Sequence, residues 1–309
     1  MIEVRQLVKR FGSRTALDSV SFTAHPGKVT AILGPNGSGK TTAIRILLGL
    51  DAADSGSALV SGTRYRDLRS PLFEVGALLD HRSAHPARSA FDHLLALAAT
   101  HRIPRPRVHD VIDLTGLDPV ANARAGTFSL GMSQRLGIAA ALLGDPRILV
   151  LDEPMNGLDP EGVAWIRSMC RAFADEGRTV FLSSHLLAEV ESIADRVVIL
   201  GRGRVLADGT LAELGAAQTF VRVRTRHARD LAIALERSGA TVEFDGEDLA
   251  VRGASAAQVG ESAARSGFAL ELLSPESPTL ESIFATLTTN EIQYRSRGGS
   301  TAYGPRDRE

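Results

Sequence analysis

Apolar residues in this chain gather in short unbroken runs, with stretches of helical period between them. "VTAIL" (Val29–Leu33) is short, apolar and partly β-branched, the pattern of a strand buried on both faces. "KTTAIRILLGL" (40–50) follows with a helical period. "RILVLDEP" (147–154) is a second buried strand that ends in two carboxylates, and "TVFLSSH" (179–185) is a third. Helical patterns cover 131–144 and 160–176. Buried strands alternating with helices predict an α/β fold, a parallel sheet with helices on both faces. "RVVILGRGRVLADG" (196–209) reads instead as two strands joined near Gly201 and Gly203, a hairpin.

Near residue 216 the texture changes. "FVRVRT" alternates like an edge strand, "RDLAIALERSG" is a short amphipathic helix, and "TVEFDGEDLAVR" is a hairpin turning at Asp245 and Gly246. "SAAQVGESAARSG" is a second helix, followed by "FALELLS". The order β-α-β-β-α-β is that of a small ferredoxin-like α+β module. "PTLESIFATLT" is expected to close it with a helix. The predicted division is 1–217, 218–289 and a polar, disordered tail over 290–309.

Composition narrows the picture without deciding it. The length of 309 residues suits two domains. Lys plus Arg number 35 against 36 Asp plus Glu, so no basic balance argues for a surface that coats nucleic acid. The single cysteine, Cys170, permits no internal disulfide and is read as a small buried apolar residue. "MIEVRQLVKRF" lacks the basic start and apolar core of a signal peptide. No stretch approaches the roughly 18 apolar residues that span a bilayer. The expectation is a soluble chain that reaches a membrane only through a partner.

The candidate chemistry begins at "GPNGSGKTTAI", just after the first buried strand. Gly34, Gly39, Lys40 and Thr41 fit G-x-x-x-x-G-K-[ST], with Pro35, Asn36, Gly37 and Ser38 inside the loop and Thr42 after it. Glycines let backbone N–H groups turn inward as an anion nest, and the following helix aims its positive end at the same place. Lys40 can reach the β- and γ-phosphates of a nucleotide, and the Thr41 hydroxyl can ligate Mg²⁺. On the second acidic strand, Asp152 can hold the metal shell and Glu153 can polarise an attacking water. His185 falls at the carboxyl end of a strand, where open α/β sheets bind ligands. His93, His101 and His109 show no ligand logic in their spacing. Pro86 and small neighbours argue against a regular helix that would pair His81 with His85.

"TFSLGMSQRLGIAAALLGDPRILVLDEPMNGLDP" narrows the family. It closely resembles the nucleotide-binding subunits of ABC transporters over roughly 1–215. "FSLGM" stands at their signature motif, "NGLD" resembles their D-loop with Asp159, and "SSH" their switch histidine loop. "FGSRTALDSVSF" resembles their opening, where Phe11 would stack on adenine. The resemblance implies a P-loop ATPase fold of the ABC type: a parallel core sheet, an antiparallel β subdomain and a helical subdomain. It also implies ATP and Mg²⁺, His185 at the γ-phosphate, and a head-to-tail homodimer. In that dimer Ser129 and Gly131 of one copy would meet the ATP of the other. A serine helix cap would look the same locally.

Two motifs depart from the family pattern. Leu130 and Met132 replace residues of the usual LSGGQ, and Asp80 stands where a glutamine is usual. Aspartate still offers oxygen to Mg²⁺ or water but is shorter and charged. These departures, and the appended module, resemble a subset that exports drugs or peptide antibiotics. That implies a separate permease contacted through 80–88 and a place on the cytoplasmic face of the membrane. An importer motor, or a non-transport ABC ATPase acting on nucleic acid or the ribosome, is the alternative. Sustained heptads and a second cassette, which would favour the last, are missing from the sequence.

Overall fold

The buried runs form the middle of a six-stranded sheet. A computed structural model describes residues 1–80, 84–216, 219–276 and 279–288. In it β5 (Val75–Leu78), β6 (Ile148–Leu151), β7 (Thr179–Ser184), β3 (Val29–Leu33), β8 (Arg196–Gly201) and β9 (Arg204–Thr210) lie side by side in that order. The first five are parallel and β9 is antiparallel. The β8–β9 hairpin turns at Arg202 and Gly203, both at positive φ, as the sequence predicts. All five residues of β3 are buried because the sheet is covered on both faces: Ala31 and Leu33 join one core and Ile32 the other.

One face is covered by α1 (Lys40–Leu47) and a three-stranded antiparallel sheet, order β2-β1-β4. Its strands are β1 (Ile2–Phe11), β2 (Arg14–Ala24) and β4 (Ser55–Val60). Phe22 stacks on Phe181 across the layers, with ring centroids 5.3 Å apart. The helix predicted over 40–50 stops at Leu47, and Gly49 at φ 69° turns the chain away. The other face carries α3 (Ala90–Thr100), α4 (Arg105–Leu114), α5 (Leu130–Leu142), α6 (Pro160–Asp175) and α7 (Leu187–Glu191). α2 (Pro71–Glu74) leads into β5, and α8 (Leu211–Ala216) follows β9.

Beyond residue 219 a smaller sheet forms from β10 (Phe220–Arg224), β11 (Thr241–Asp245), β12 (Asp248–Arg252) and β13 (Leu272–Glu276). All its pairs are antiparallel, in the order β11-β12-β10-β13. α9 (Ala228–Arg237) and α10 (Ala256–Arg265) cover one face through Leu231, Leu235 and Val259 against Val221, Val223, Leu249 and Val251. A capping box between Ser255 and Gln258 starts α10.

Two expectations need correction. β10 is an interior strand, not an edge: its arginines lie on the open face of the sheet and pair across strands. Arg222 bonds Glu276 at 2.7 Å and Asp245 at 2.9 Å, and Arg224 bonds Asp248 at 2.6 Å. The last helix, α11 (Leu280–Thr288), does not close the small module. Its apolar stripe, with Leu280 and Ile283 buried and Phe284 and Leu287 partly so, belongs to the core beside the large sheet, where α11 meets α7 and α8. The stripe has the i, i+3, i+4, i+7 spacing of a helix face, and that face follows apolar surface rather than chain order. The tail from Asn290, and His81, lie outside the described residues.

Candidate active site

The phosphate loop joins β3 to α1 at the carboxyl edge of the large sheet. Two of its glycines have no room for a side chain. A Cβ at Gly34 would lie 2.3 Å from Ser38 Oγ and 2.6 Å from the Leu200 carbonyl; one at Gly39 would meet Leu17 at 2.7 Å and the Ala16 carbonyl at 2.8 Å. Gly39 also takes φ 111° as the N-cap of α1, a conformation that favours glycine. Lys40 is buried, and its Nζ donates to the Gly34 carbonyl at 2.6 Å, inside the loop. Ser38 Oγ is buried without a hydrogen-bond partner. A polar cradle with an orphaned hydroxyl and an inward cation is what a phosphate chain fits. Pro35 is half-buried and Asn36, Gly37 and Thr41 are exposed along the rim, with Thr42 half-buried behind them.

The acidic pair meets this loop. Glu153 Oε1 lies 3.6 Å from Lys40 Nζ, and Glu153 Oε2 lies 2.7 Å from His185 Nδ1. The sequence therefore identified three groups, from two strand ends and the start of α1, that the fold brings together. Glu153 is a non-glycine residue at φ 49°, the left-handed region, where an L-residue is strained by about 1–2 kcal/mol. Asp152 is fixed from both sides: its N–H donates to the Leu78 carbonyl of β5 at 2.8 Å, and its Oδ1 accepts from Ser183 Oγ of β7 at 2.5 Å. Asp80 is exposed, two residues past Leu78, which pairs with Leu151 in the sheet. Phe11 is 52% exposed at the end of β1, with Lys9 Nζ 5.1 Å from its ring centroid. Among the described residues no group of three or more His, Cys, Asp or Glu could by itself hold a metal. Thr41 and Asp152 fit one only together with phosphate oxygens.

Ser129, Gly131 and Asp159 occupy a different place. Both Ser129 and Asp159 are helix N-caps, accepting from Met132 N at 3.2 Å and Gly162 N at 2.8 Å. The amino ends of α5 and α6 thus open together onto a hollow of about 200 Å³, lined by these residues and Trp165. Arg135 lies over the Trp165 ring at 4.4 Å and donates to the Thr115 carbonyl at 3.0 Å, which braces the wall. Two helix amino ends thus face one hollow, whose wall also carries the Asp159 and Glu161 carboxylates and the Arg135 guanidinium. Sequence reasoning missed Gln134, whose buried amide donates to the Pro154 carbonyl at 2.7 Å and ties α5 to the loop after Glu153. It also missed Ser183. A lone glutamine in a helix and a serine in a strand carry no spacing signal.

Comparison with known proteins bears on the family and the fold. A family model described as ABC transporter matches residues 17–156, and one for a domain of unknown function (DUF8746) matches 219–281. The chain is 36% identical over 210 residues to the lantibiotic transport ATP-binding protein SrtF of Streptococcus pyogenes, covering 67% of this chain and 90% of that one. It is 30% identical over 295 residues to the bacitracin transport ATP-binding protein BcrA of Enterococcus faecalis, covering 93% of this chain and 96% of that one. Among solved structures, the ATP-binding subunit of an ABC transporter overlays with a TM-score of 0.64 at 27% identity, covering 70% of this chain and 92% of that one.

Proposed function

This chain belongs to the ABC transporter family of ATP-binding proteins and is an ATPase, and from that premise we propose that it drives export through a separate membrane permease. The observation that carries the export reading is the match to a bacitracin transport protein, which runs through the appended module as well as the ATPase domain. An antibiotic or peptide is the substrate class this supports. No helix among the described residues is long and apolar enough to cross a membrane, in keeping with a permease on another chain. The segment 80–88 is its proposed contact, and the cytoplasmic face of the membrane its proposed place.

In the proposed mechanism the loop N–H groups and Lys40 bind the phosphates, and Phe11 takes the adenine. Thr41 and Asp152 would hold Mg²⁺, which would supply positive charge to offset that of the phosphates. Glu153 orients and deprotonates the attacking water, and its bond to His185 at 2.7 Å fixes the carboxylate beside the γ-phosphate position. The hollow between Ser129 and Asp159 is separate from the phosphate loop, which supports a head-to-tail pair of chains, each completing the other's site. Asp80 serves coupling rather than chemistry. The module acts on the cycle through α11, which packs on α7, the helix directly after His185. Ile283→Ala should change the ATPase rate; unchanged turnover and dimerisation would leave the module without a part in the cycle.

The test of the main reading is capture of tagged Glu153→Gln protein from membranes with ATP present. Recovery of a polytopic membrane protein is expected. Recovery of ribosomes or nucleic acid, with a clean membrane fraction, would overturn the transport reading and leave the ATPase site standing.

A further inference from the structure

Strand β7 is buried over all six residues, yet it ends in two serines. A buried hydroxyl needs partners, so the direction of each is informative. Ser184 is satisfied locally, accepting from Leu186 N at 3.0 Å as the chain leaves the strand. Ser183 reaches across to the neighbouring strand end instead. Its Oγ donates to Asp152 Oδ1 at 2.5 Å and accepts from the Glu153 N–H at 2.9 Å. One hydroxyl therefore holds the side chain of the first acidic residue and the backbone of the second. The second is the residue in the left-handed region, at φ 49°. The Glu153 N–H at this strand end needs an acceptor, and Ser183, 0% exposed, supplies it.

From this geometry we infer that Ser183 is a positioning residue for hydrolysis, setting the Asp152 carboxylate toward Mg²⁺ and the Glu153 backbone for its carboxylate to reach water. The inference rests on the roles proposed above for Asp152 and Glu153. An alanine here leaves Asp152 free to rotate and the Glu153 N–H unpaired. A threonine keeps the hydroxyl.

The experiment compares the full-length wild type, Ser183→Ala and Ser183→Thr. Melting temperatures come first; if the alanine variant does not fold, Ser183→Cys, close in shape and a weak donor, takes its place. Binding of adenylyl imidodiphosphate is then titrated with Mg²⁺ and with EDTA, and ATP turnover is measured. Wild type should bind more tightly with Mg²⁺. Ser183→Ala should lose about tenfold or more of that gain, keep its affinity in EDTA, and fall about 10–100-fold in kcat with a smaller change in KM, the scale on which removing a group that orients a metal ligand acts. Ser183→Thr should restore both. A folded alanine variant with the wild-type Mg²⁺ gain and kcat would overturn the inference. So would a threonine variant impaired as much as alanine. A wild type whose affinity gains nothing from Mg²⁺ would overturn the assignment of Asp152 itself, and the role of Ser183 with it.

Discussion

Helix α11 belongs by sequence to the appended module and by packing to the ATPase domain, and Ile283→Ala separates the two. Ile283 is 2% exposed and sits beside Leu280, 1% exposed, in the core that includes Val190. Truncating a buried isoleucine to alanine costs about 2–5 kcal/mol, depending on how far the site collapses. α11 has nine residues, too few to persist as an isolated helix. A loss near the low end is therefore enough to release it rather than only loosen it. Amide hydrogen exchange at Leu187–Glu191 and Leu211–Ala216 reads this out. A 2 kcal/mol loss corresponds to about 30-fold faster exchange by local opening. The module strands β10 and β12 should exchange as before, since their core is Val221, Val223, Leu249 and Val251. Val259→Ala, in the module's own core, should give the opposite pattern. Faster exchange in β10 and β12 after Ile283→Ala, with Leu187–Glu191 unchanged, would refute the packing argument.

Three further outcomes are expected. Glu153→Gln should keep nucleotide affinity in a binding titration while turnover falls about 10²–10⁴-fold, the usual worth of a general base. Burial pushes the Cys170 thiol up to about 12, so the native chain should resist iodoacetamide at about pH 8 and the denatured chain should react. Burial alone would raise the Asp195 carboxyl, but the Val29 N–H at 2.8 Å and Arg171 at 3.0 Å outweigh it and hold the group below its usual value. A depressed carboxylate stabilises the fold above its unfolded pKa, and that contribution is lost as pH falls through the folded value. Asp195→Asn should therefore be less stable than wild type at neutral pH, and the gap in urea unfolding should begin to narrow as pH falls below about 5 and go on closing as pH falls through the folded value.

The parts of this site that could be read from sequence are those where one local pattern forces one local geometry. Gly34, Gly39 and Lys40 follow a spacing that predicts a tight strand-to-helix loop, and Asp152 and Glu153 end an apolar run whose burial leaves them at the sheet edge. The succession of strands and helices along the module was legible for the same reason, through alternation and a turn at Gly246. What was not legible depends on two distant segments meeting. "FVRVRT" resembles an edge strand because arginines commonly guard edges. The carboxylates that instead pair with them lie more than 20 residues further on. "PTLESIFATLT" shows an apolar stripe but not which of two cores it seats on. Ser183 and Gln134 become significant only once β7 lies beside β6 and α5 beside Pro154.

The charges on the open face of the module carry information as well as energy. Arg222 is matched to carboxylates on β11, β12 and β13, Arg224 to Asp248 on β12, and Arg252 on β12 to Glu243 on β11. The apolar face already fixes which side of each strand points inward, and a slip of one residue would turn the arginines into the core. A slip of two residues preserves that alternation, so the apolar face alone would tolerate it. The ion pairs do not: two residues of slip leave Arg222 and Arg224 facing the wrong partners. The register of this sheet is thus encoded twice, once in an alphabet of oil and water and once in an alphabet of sign. Only the second copy can be erased by salt or acid without unfolding the first.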